Sequence, residues 1–340
     1  MSKLKAHTLD KLKAAANAMA QAMPSDLFLD WSGSRNSFEV GDHVMARYSD
    51  GQWFAAIVEE QLLQHGEVKF YIKWDDGDHR SRVKKAKEMM LLEEFARKAG
   101  RAIKRQKSAE RIQQNPHPHV VRILDVSPSE GLLMEYFDEG DLLKHMTTAR
   151  RKFLPVFCIV RYLVQIIQAL HHLHELDIVH CDVSPANVFL RRDRDREESL
   201  QREAAGKRHR VKDDVKDAPP DVVFSCALGD FGHSYIDGQH EESRSSVAGQ
   251  GLGALFVAPE VKEGGHSTKE SDIWSAGKIL EELLKLSESN ANKDGLQPKS
   301  VLRKLRGISL EMCSDEASRR PTARTMQKRL IRVAQDLKCL

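Results

Sequence analysis

Two short segments of this 340-residue chain concentrate the residue types that phosphoryl chemistry uses. A phosphoryl group in flight carries dispersed negative charge, so catalysis is mostly positioning and charge neutralisation. A base or positioner must meet the attacking hydroxyl, and oxygen ligands must hold a hard divalent cation on the phosphates. The first segment is Ile178-Val179-His180-Cys181-Asp182-Val183-Ser184-Pro185-Ala186-Asn187-Val188-Phe189-Leu190. It carries a carboxylate and, further along, a carboxamide. The second, Leu228-Gly229-Asp230-Phe231-Gly232, carries another carboxylate. Ala258-Pro259-Glu260, Ser271-Asp272-Ile273-Trp274-Ser275-Ala276-Gly277 and Arg320-Pro321-Thr322 follow in that order. A lone three-residue motif means little, whereas five such motifs over about 150 residues make coincidence improbable.

Together these segments resemble the protein kinase superfamily: a catalytic loop, a DFG turn, an APE motif, the start of the large lobe-anchoring helix and a late arginine. The resemblance implies ATP and Mg²⁺ as cofactors and transfer of a phosphoryl group to protein Ser/Thr hydroxyls. It assigns Asp182 to the substrate hydroxyl and its proton, Asn187 and Asp230 to the metal, and Phe189 to the underside of the adenine. Leu132-Leu133-Met134-Glu135-Tyr136-Phe137 resembles the strand and hinge that meet the adenine. Met134, Glu135 and Phe137 are then cofactor contacts, with Met134 as gatekeeper, and Asp141 lies where an acidic residue reaches the ribose. His117-Pro118-His119-Val120-Val121 resembles the turn before the fourth strand of the small lobe. Glu260 and Arg320 are expected to form a partly buried ion pair.

The sequence also departs from the family. Asp182 and Asp230 are 48 positions apart, well beyond the usual spacing. The excess lies in residues 191–220, which are highly charged and nearly free of large apolar side chains; such a segment reads as a solvated insertion. Its Lys207-Arg208-His209-Arg210 run fits either that insertion or a nuclear-import signal. Cys181 replaces an arginine, which leaves Ser243, Ser245 and Ser246 poor candidates for a phosphorylation switch. Ser184 replaces the catalytic-loop lysine, and Ala254 stands near a usual threonine. No Gly-rich loop precedes His117. Ala102-Ile103-Lys104 falls inside one apparently continuous helix over 91–115, so Lys104 reads as a surface lysine; Glu110 is a candidate helix glutamate. The expectation is a reduced N-lobe and weak turnover, with a pseudokinase scaffold as the alternative.

Upstream lies a β-rich module with turn signals at Asp50-Gly51 and Asp76-Gly77. Val40 to Tyr48, Asp50 to Val58 and Val68 to Asp78 resemble a Tudor-like or chromo-barrel module. That resemblance implies a methylated lysine or arginine peptide as partner, with Tyr48, Phe54 and Trp74 as cage walls, Asp76 on the rim and His79 where another aromatic is often found. Packing in a small barrel accounts for the same aromatics. This gives a second functional reading, a chromatin-associated reader.

The expected fold is α+β: a small β-barrel followed by a kinase-like, mainly helical C-lobe. The expected divisions are a helical arm over 1–35, the barrel over 36–90 and the kinase-like region over 91–340. Val160, Leu163, Ile167, Leu170 and Leu173 recur at helical spacing just before His180. A net charge of +3 gives no reason to expect a nucleic-acid partner. No run of about 18 continuous apolar residues is present, and no membrane partner is expected. Five scattered cysteines without a CxxC pair point to an intracellular setting, cytoplasmic or nuclear.

Overall fold

The computed structural model describes residues 6–22, 37–127, 131–149, 154–195, 197–199, 202, 223–237, 252–291 and 299–337. The chain falls into two compact units: residues 1–107 with 126–133, and residues 108–125 with 134–340. The boundaries fall inside helix α2 (Leu92–Gln114) and inside a hairpin of β6 (Ile123–Ser127) and β7 (Gly131–Met134).

In the first unit, β1 (His43–Arg47), β2 (Trp53–Gln64), β3 (Glu67–Trp74), β4 (Val83–Lys85) and β5 (Met89–Leu91) form one antiparallel sheet, in the order β4-β3-β2-β1-β5. Gly51 and Gly77 adopt φ +88° and +80°, which explains why glycine follows aspartate at both turns. A register shift between Val58 and Glu60 bends β2. Alternate residues Phe70, Ile72 and Trp74 of β3 face a core with Val44, Ala46, Ala56 and Met89. The closed barrel expected from the sequence does not form. β4 and β5 hold opposite edges, and the short 3-10 turn Ala86–Glu88 between them leaves no ladder joining the edges among the described residues. Helix α1 (Ala6–Ala22) puts Leu9, Leu12, Ala16 and Met19 against Met45, Ala55, Met90 and Phe95.

The second unit is mainly helical. Its centre is α4 (Val156–Glu175), whose Ile159, Val160, Leu163, Ile166, Ile167 and Leu170 are buried. This helix is long and apolar enough to cross a membrane by composition alone, but most of it is packed inside the unit. Around it lie α3 (Leu142–Ala149), α5 (Pro259–Lys262), α6 (Lys269–Ala291), α7 (Lys299–Met312) and α8 (Ala323–Asp336). Two small ladders carry the loops of interest. β9 (Val188–Arg192) pairs with β10 (Phe224–Leu228), and β8 (Ile178–Val179) pairs with β11 (Tyr235–Ile236). Helix α2 is unbroken, so Ala102-Ile103-Lys104 is helical and not a strand.

Candidate active site

The loop between β8 and β9 is anchored by a buried carboxylate from α6. Asp272, 1% exposed, accepts hydrogen bonds from the backbone N–H of His180 and of Cys181, both at 2.9 Å, and from His174 Nε2 at 3.0 Å. A carboxylate with three donors is well compensated for burial, and three fixed bonds leave the loop little freedom. His180 then joins the two loops: its Nε2–H donates to the Gly229 carbonyl at 3.0 Å, while its Nδ1 accepts from the Asp182 N–H at 3.3 Å. One tautomer satisfies both bonds.

Asn187 closes the first loop, with its Nδ2 donating to the Asp182 carbonyl at 2.8 Å and to Asp182 Oδ2 at 2.9 Å. Both amide protons are therefore directed at Asp182, and Asn187 Oδ1 remains as an acceptor. The second loop turns at Asp230, whose φ of 60° is left-handed. Aspartate tolerates that region, and its Oδ1 accepts from Gly232 N–H at 3.1 Å, capping the 3-10 turn Phe231–His233. Phe231 is buried and lies 5.4 Å from the His180 ring. Gly229 is required by close approach: a Cβ there would lie 2.6 Å from Val121 Cγ2 and 3.0 Å from Phe189 Cε2.

Asp182 is half-buried and Asp230 exposed, and among the described residues neither has a salt-bridge partner. The Asp230 carboxylate and the Asn187 amide oxygen, with the Asp182 carboxylate hydrogen-bonded to Asn187, make a hard-oxygen set, which fits Mg²⁺ better than a softer ion. The residues present therefore fit the metal that the family uses.

The hinge residues lie on one strand exit. Met134 ends β7 and is half-buried. Glu135 is committed to positioning: its N–H donates to Arg122 O at 3.0 Å, its Oε1 accepts from Arg122 N–H at 2.9 Å, and Arg191 approaches its Oε2 at 3.5 Å. Among the described residues, the Glu135 carbonyl and the Phe137 N–H have no hydrogen-bond partner. Phe137 and Phe189 lie 5.8 Å apart. Asp141 forms a β-bridge with Phe189 and starts α3 by accepting from Lys144 N–H at 2.7 Å. Asp182, Asn187 and Asp230 thus gather at one pair of loops, and Met134, Glu135, Phe137, Asp141 and Phe189 around the hinge.

The expected ion pair is present. Arg320, its side chain fully buried, donates from Nη1 to Glu260 Oε1 at 2.7 Å and from Nη2 to Oε2 at 2.8 Å. Burial and the Asp272 carboxylate push the Cys181 thiol well above its usual range, which favours its neutral form. Ser243, Ser245, Ser246 and the Lys207–Arg210 run lie outside the described residues. Sequence reasoning missed the bond from His174 to Asp272 and the role of Gly229. These contacts join residues tens of positions apart, and only the placement of Asp272 in its motif hinted at them.

A profile described as the protein kinase domain matches residues 79–338. The chain belongs to the protein kinase family. The mouse serine/threonine-protein kinase Nek3 is 28% identical over 236 residues, covering 65% of this chain and 40% of that protein. The serine/threonine-protein kinase ULK3 of Xenopus laevis is 29% identical over 171 residues, covering 49% of this chain and 29% of that protein. The membrane-associated tyrosine- and threonine-specific cdc2-inhibitory kinase wee-1.3 of Caenorhabditis elegans is 28% identical over 245 residues, covering 66% and 31%. The chain therefore spans two-fifths or less of the length of these relatives.

Proposed function

We propose that this chain is an atypical, slow protein kinase that transfers the γ-phosphoryl group of ATP to serine or threonine hydroxyls of a protein substrate. The observation that carries the reading is the Asp182–Asn187–Asp230 arrangement. Asp182 is fixed through its backbone by His180 and through its side chain by Asn187, which suits it to orient a hydroxyl and take up its proton. Asn187 Oδ1 and Asp230 would hold Mg²⁺, which when bound neutralises phosphate charge. The free Glu135 carbonyl and Phe137 N–H suit an adenine edge, and Phe137 and Phe189 suit its face. Ser184 in place of a lysine removes one preorganised cation, a change of the kind that costs about 10²–10³ in rate. The four described cysteines are free, which supports an intracellular setting.

The test is thermal unfolding with and without Mg²⁺ and ATP, beside Asp230→Ala. Ligand at about 100 times its Kd stabilises by about 2.7 kcal/mol, or roughly 5–10 °C for a unit of this size. A Mg²⁺-dependent shift that disappears in Asp230→Ala, with transfer that disappears in Asp182→Ala, supports the kinase. No shift at millimolar ATP leaves a scaffold.

A second reading concerns the first unit. Tyr48, Phe54 and Trp74 meet at interplanar angles of 78°, 62° and 85°, with centroids 5.6–6.3 Å apart, like three walls of a box. Tyr48 Oη donates to Asp78 Oδ2 at 3.0 Å, so Asp78, rather than Asp76, is the acidic group beside the rings. The edge-to-face rings are of the types that capture a methylated ammonium, but against that reading stand the burial of Trp74 in the sheet core at 1% exposure, the pairing of Asp78 with Arg80 at 3.0 Å, and the chain's own Lys84 Nζ, 5.4 Å from the Trp74 centroid. Titrating a trimethyllysine peptide against the intrinsic tryptophan fluorescence of wild type and Tyr48→Ala decides it: saturable binding lost in the variant supports the reader, and no binding at millimolar peptide refutes it.

A further inference from the structure

The segment from Glu135 to Asp141 is held at both ends by one strand, β9. At the far end the ties are made by backbone: Leu190 N–H donates to the Gly140 carbonyl at 2.8 Å, and Asp141 forms its bridge with Phe189. At the near end the tie is a single side chain, Arg191. Its Nη1 lies 3.5 Å from Glu135 Oε2, its Nη2–H donates to the Pro118 carbonyl at 2.9 Å, and its Nε–H donates to Ser225 Oγ at 3.3 Å. The guanidinium carbon stands 5.6 Å from the centre of the Phe137 ring, within reach of a cation–π contact. Glu135 and Phe137 therefore both meet Arg191, whereas Tyr136 between them is 89% exposed.

Each of the three guanidinium nitrogens thus addresses a different segment: the hinge, the turn after α2, and β10. A planar fork can do this, and a lysine, as one flexible point charge, cannot. The contact with Glu135 is partly exposed and contributes little energy by itself. Its effect is on orientation. Glu135 Oε1 already accepts from Arg122 N–H, so the approach of Arg191 to Oε2 engages the second oxygen and fixes the carboxylate at both. With Glu135 fixed on one side and the Phe137 ring set against the guanidinium on the other, the peptide groups between them keep a set spacing. We propose that Arg191 is a positioning residue that selects the base: it holds the Glu135 carbonyl and the Phe137 N–H as an acceptor and a donor matched to an adenine edge. Adenine offers an amino donor beside a ring-nitrogen acceptor, whereas guanine offers a carbonyl acceptor and an N–H donor in those places and would leave both protein groups facing their own kind. The proposal rests on the kinase reading for the nucleotide, while the clamp on Glu135 is testable without it.

The experiment uses the full chain as wild type, Arg191→Met and Arg191→Lys. Affinities for ATP and for GTP, each with Mg²⁺, are measured by calorimetric titration. Wild type is expected to prefer ATP, and Arg191→Met to bind ATP about tenfold more weakly while its affinity for GTP stays within about twofold, so that the preference collapses. Arg191→Lys is expected to behave like Arg191→Met, because its ammonium serves one of the three partners. An equal loss for ATP and GTP, which simple loosening of the fold would give, overturns the selector, as does full rescue by Arg191→Lys or a wild type without preference. Hydrogen exchange of the Glu135 amide, which donates to the Arg122 carbonyl, is followed in the same proteins without nucleotide. It is expected to speed up about tenfold in Arg191→Met while exchange in α4 stays unchanged, and an unchanged Glu135 amide overturns the clamp. A wild type that binds neither nucleotide counts against the kinase reading, and the exchange result then still decides whether Arg191 fixes Glu135.

Discussion

Replacing Asp272 with asparagine isolates the bond network that sets the catalytic loop. The substitution keeps shape and volume but turns one oxygen into an NH₂ group. In wild type, Oδ1 accepts from Cys181 N–H and Oδ2 from both His180 N–H and His174 Nε2–H. Every donor around the side chain is an N–H, so whichever way the amide is flipped, its NH₂ faces a donor. The less costly orientation turns the NH₂ towards Cys181, losing one charge-assisted bond and leaving a buried N–H without a partner; the remaining two bonds weaken as the acceptor loses its charge. A bond to a charged acceptor contributes about 1.5–3 kcal/mol and an orphaned buried donor costs about 1–3 kcal/mol, so a net loss of about 3 kcal/mol is expected. For a cooperative unit of this size that lowers Tm by roughly 6–12 °C. Differential scanning calorimetry of wild type and Asp272→Asn measures it. A change below about 0.5 kcal/mol, the range of ordinary surface substitutions, would refute the claim that these three bonds fix the loop.

Three further outcomes follow from the same geometry. Gly229→Ala puts a methyl 2.6 Å from Val121 Cγ2, so overpacking of about 1–3 kcal/mol and weaker Mg²⁺-dependent nucleotide binding are expected; unfolding and nucleotide titration read both. Arg320→Met strands the Glu260 carboxylate and is expected to cost about 3–5 kcal/mol, with Arg320→Met/Glu260→Met costing less than the sum of the single changes; additivity in a denaturant-unfolding cycle would contradict the pair. Burial lowers the His117 pKa to about 4, with the stacked His172 ring 4.8 Å away as the next cause. The unfolded chain then takes up a proton near pH 6.5 that the folded chain takes up only near pH 4, so stability falls as pH drops through that window and levels off below it. His117→Phe is expected to flatten the fall in a pH series of unfolding midpoints, and an unchanged slope would refute the assignment.

The elements most legible in the sequence were those whose signal is local. Helical spacing from Val160 to Leu173 marked α4, the unbroken run after Leu91 marked α2, and the Asp-Gly pairs marked two turns whose glycines do adopt positive φ. The expected barrel failed for the opposite reason. Strand existence can be read from alternation and turn residues, but closure depends on how the first and last strands meet. Here β4 and β5 are three residues each, and nothing local in Val83–Lys85 or Met89–Leu91 tells which partner each will take. β5 is invisible as a strand because its three residues run without a turn signal straight into the helix that begins at Leu92.

For the site, motifs named the residues, but the reasons those residues hold their positions were not legible. The spacing from Asp182 to Asp230 looked disruptive in sequence, yet β9 and β10 pair residue for residue from Val188–Leu228 to Arg192–Phe224, so the added length leaves at the far end of the hairpin. The base of that hairpin is fixed by groups no local pattern joins: Asp193 N–H donates to Val223 O at 2.7 Å, Arg161 on α4 binds both Phe224 O and Asp193, and Glu197 accepts from Val223 N–H at 2.8 Å. Gln165, also on α4, accepts from Cys226 N–H at 2.8 Å and holds the strand that ends at Gly229. An insertion whose two ends are tied together in this way costs loop-closure entropy only beyond the tie, and that cost grows slowly with length. The chain can therefore carry the charged segment while Asp230 stays within reach of His180 and Asp182, because the distance that matters is set by α4 and the ladder and not by the number of residues between the two aspartates.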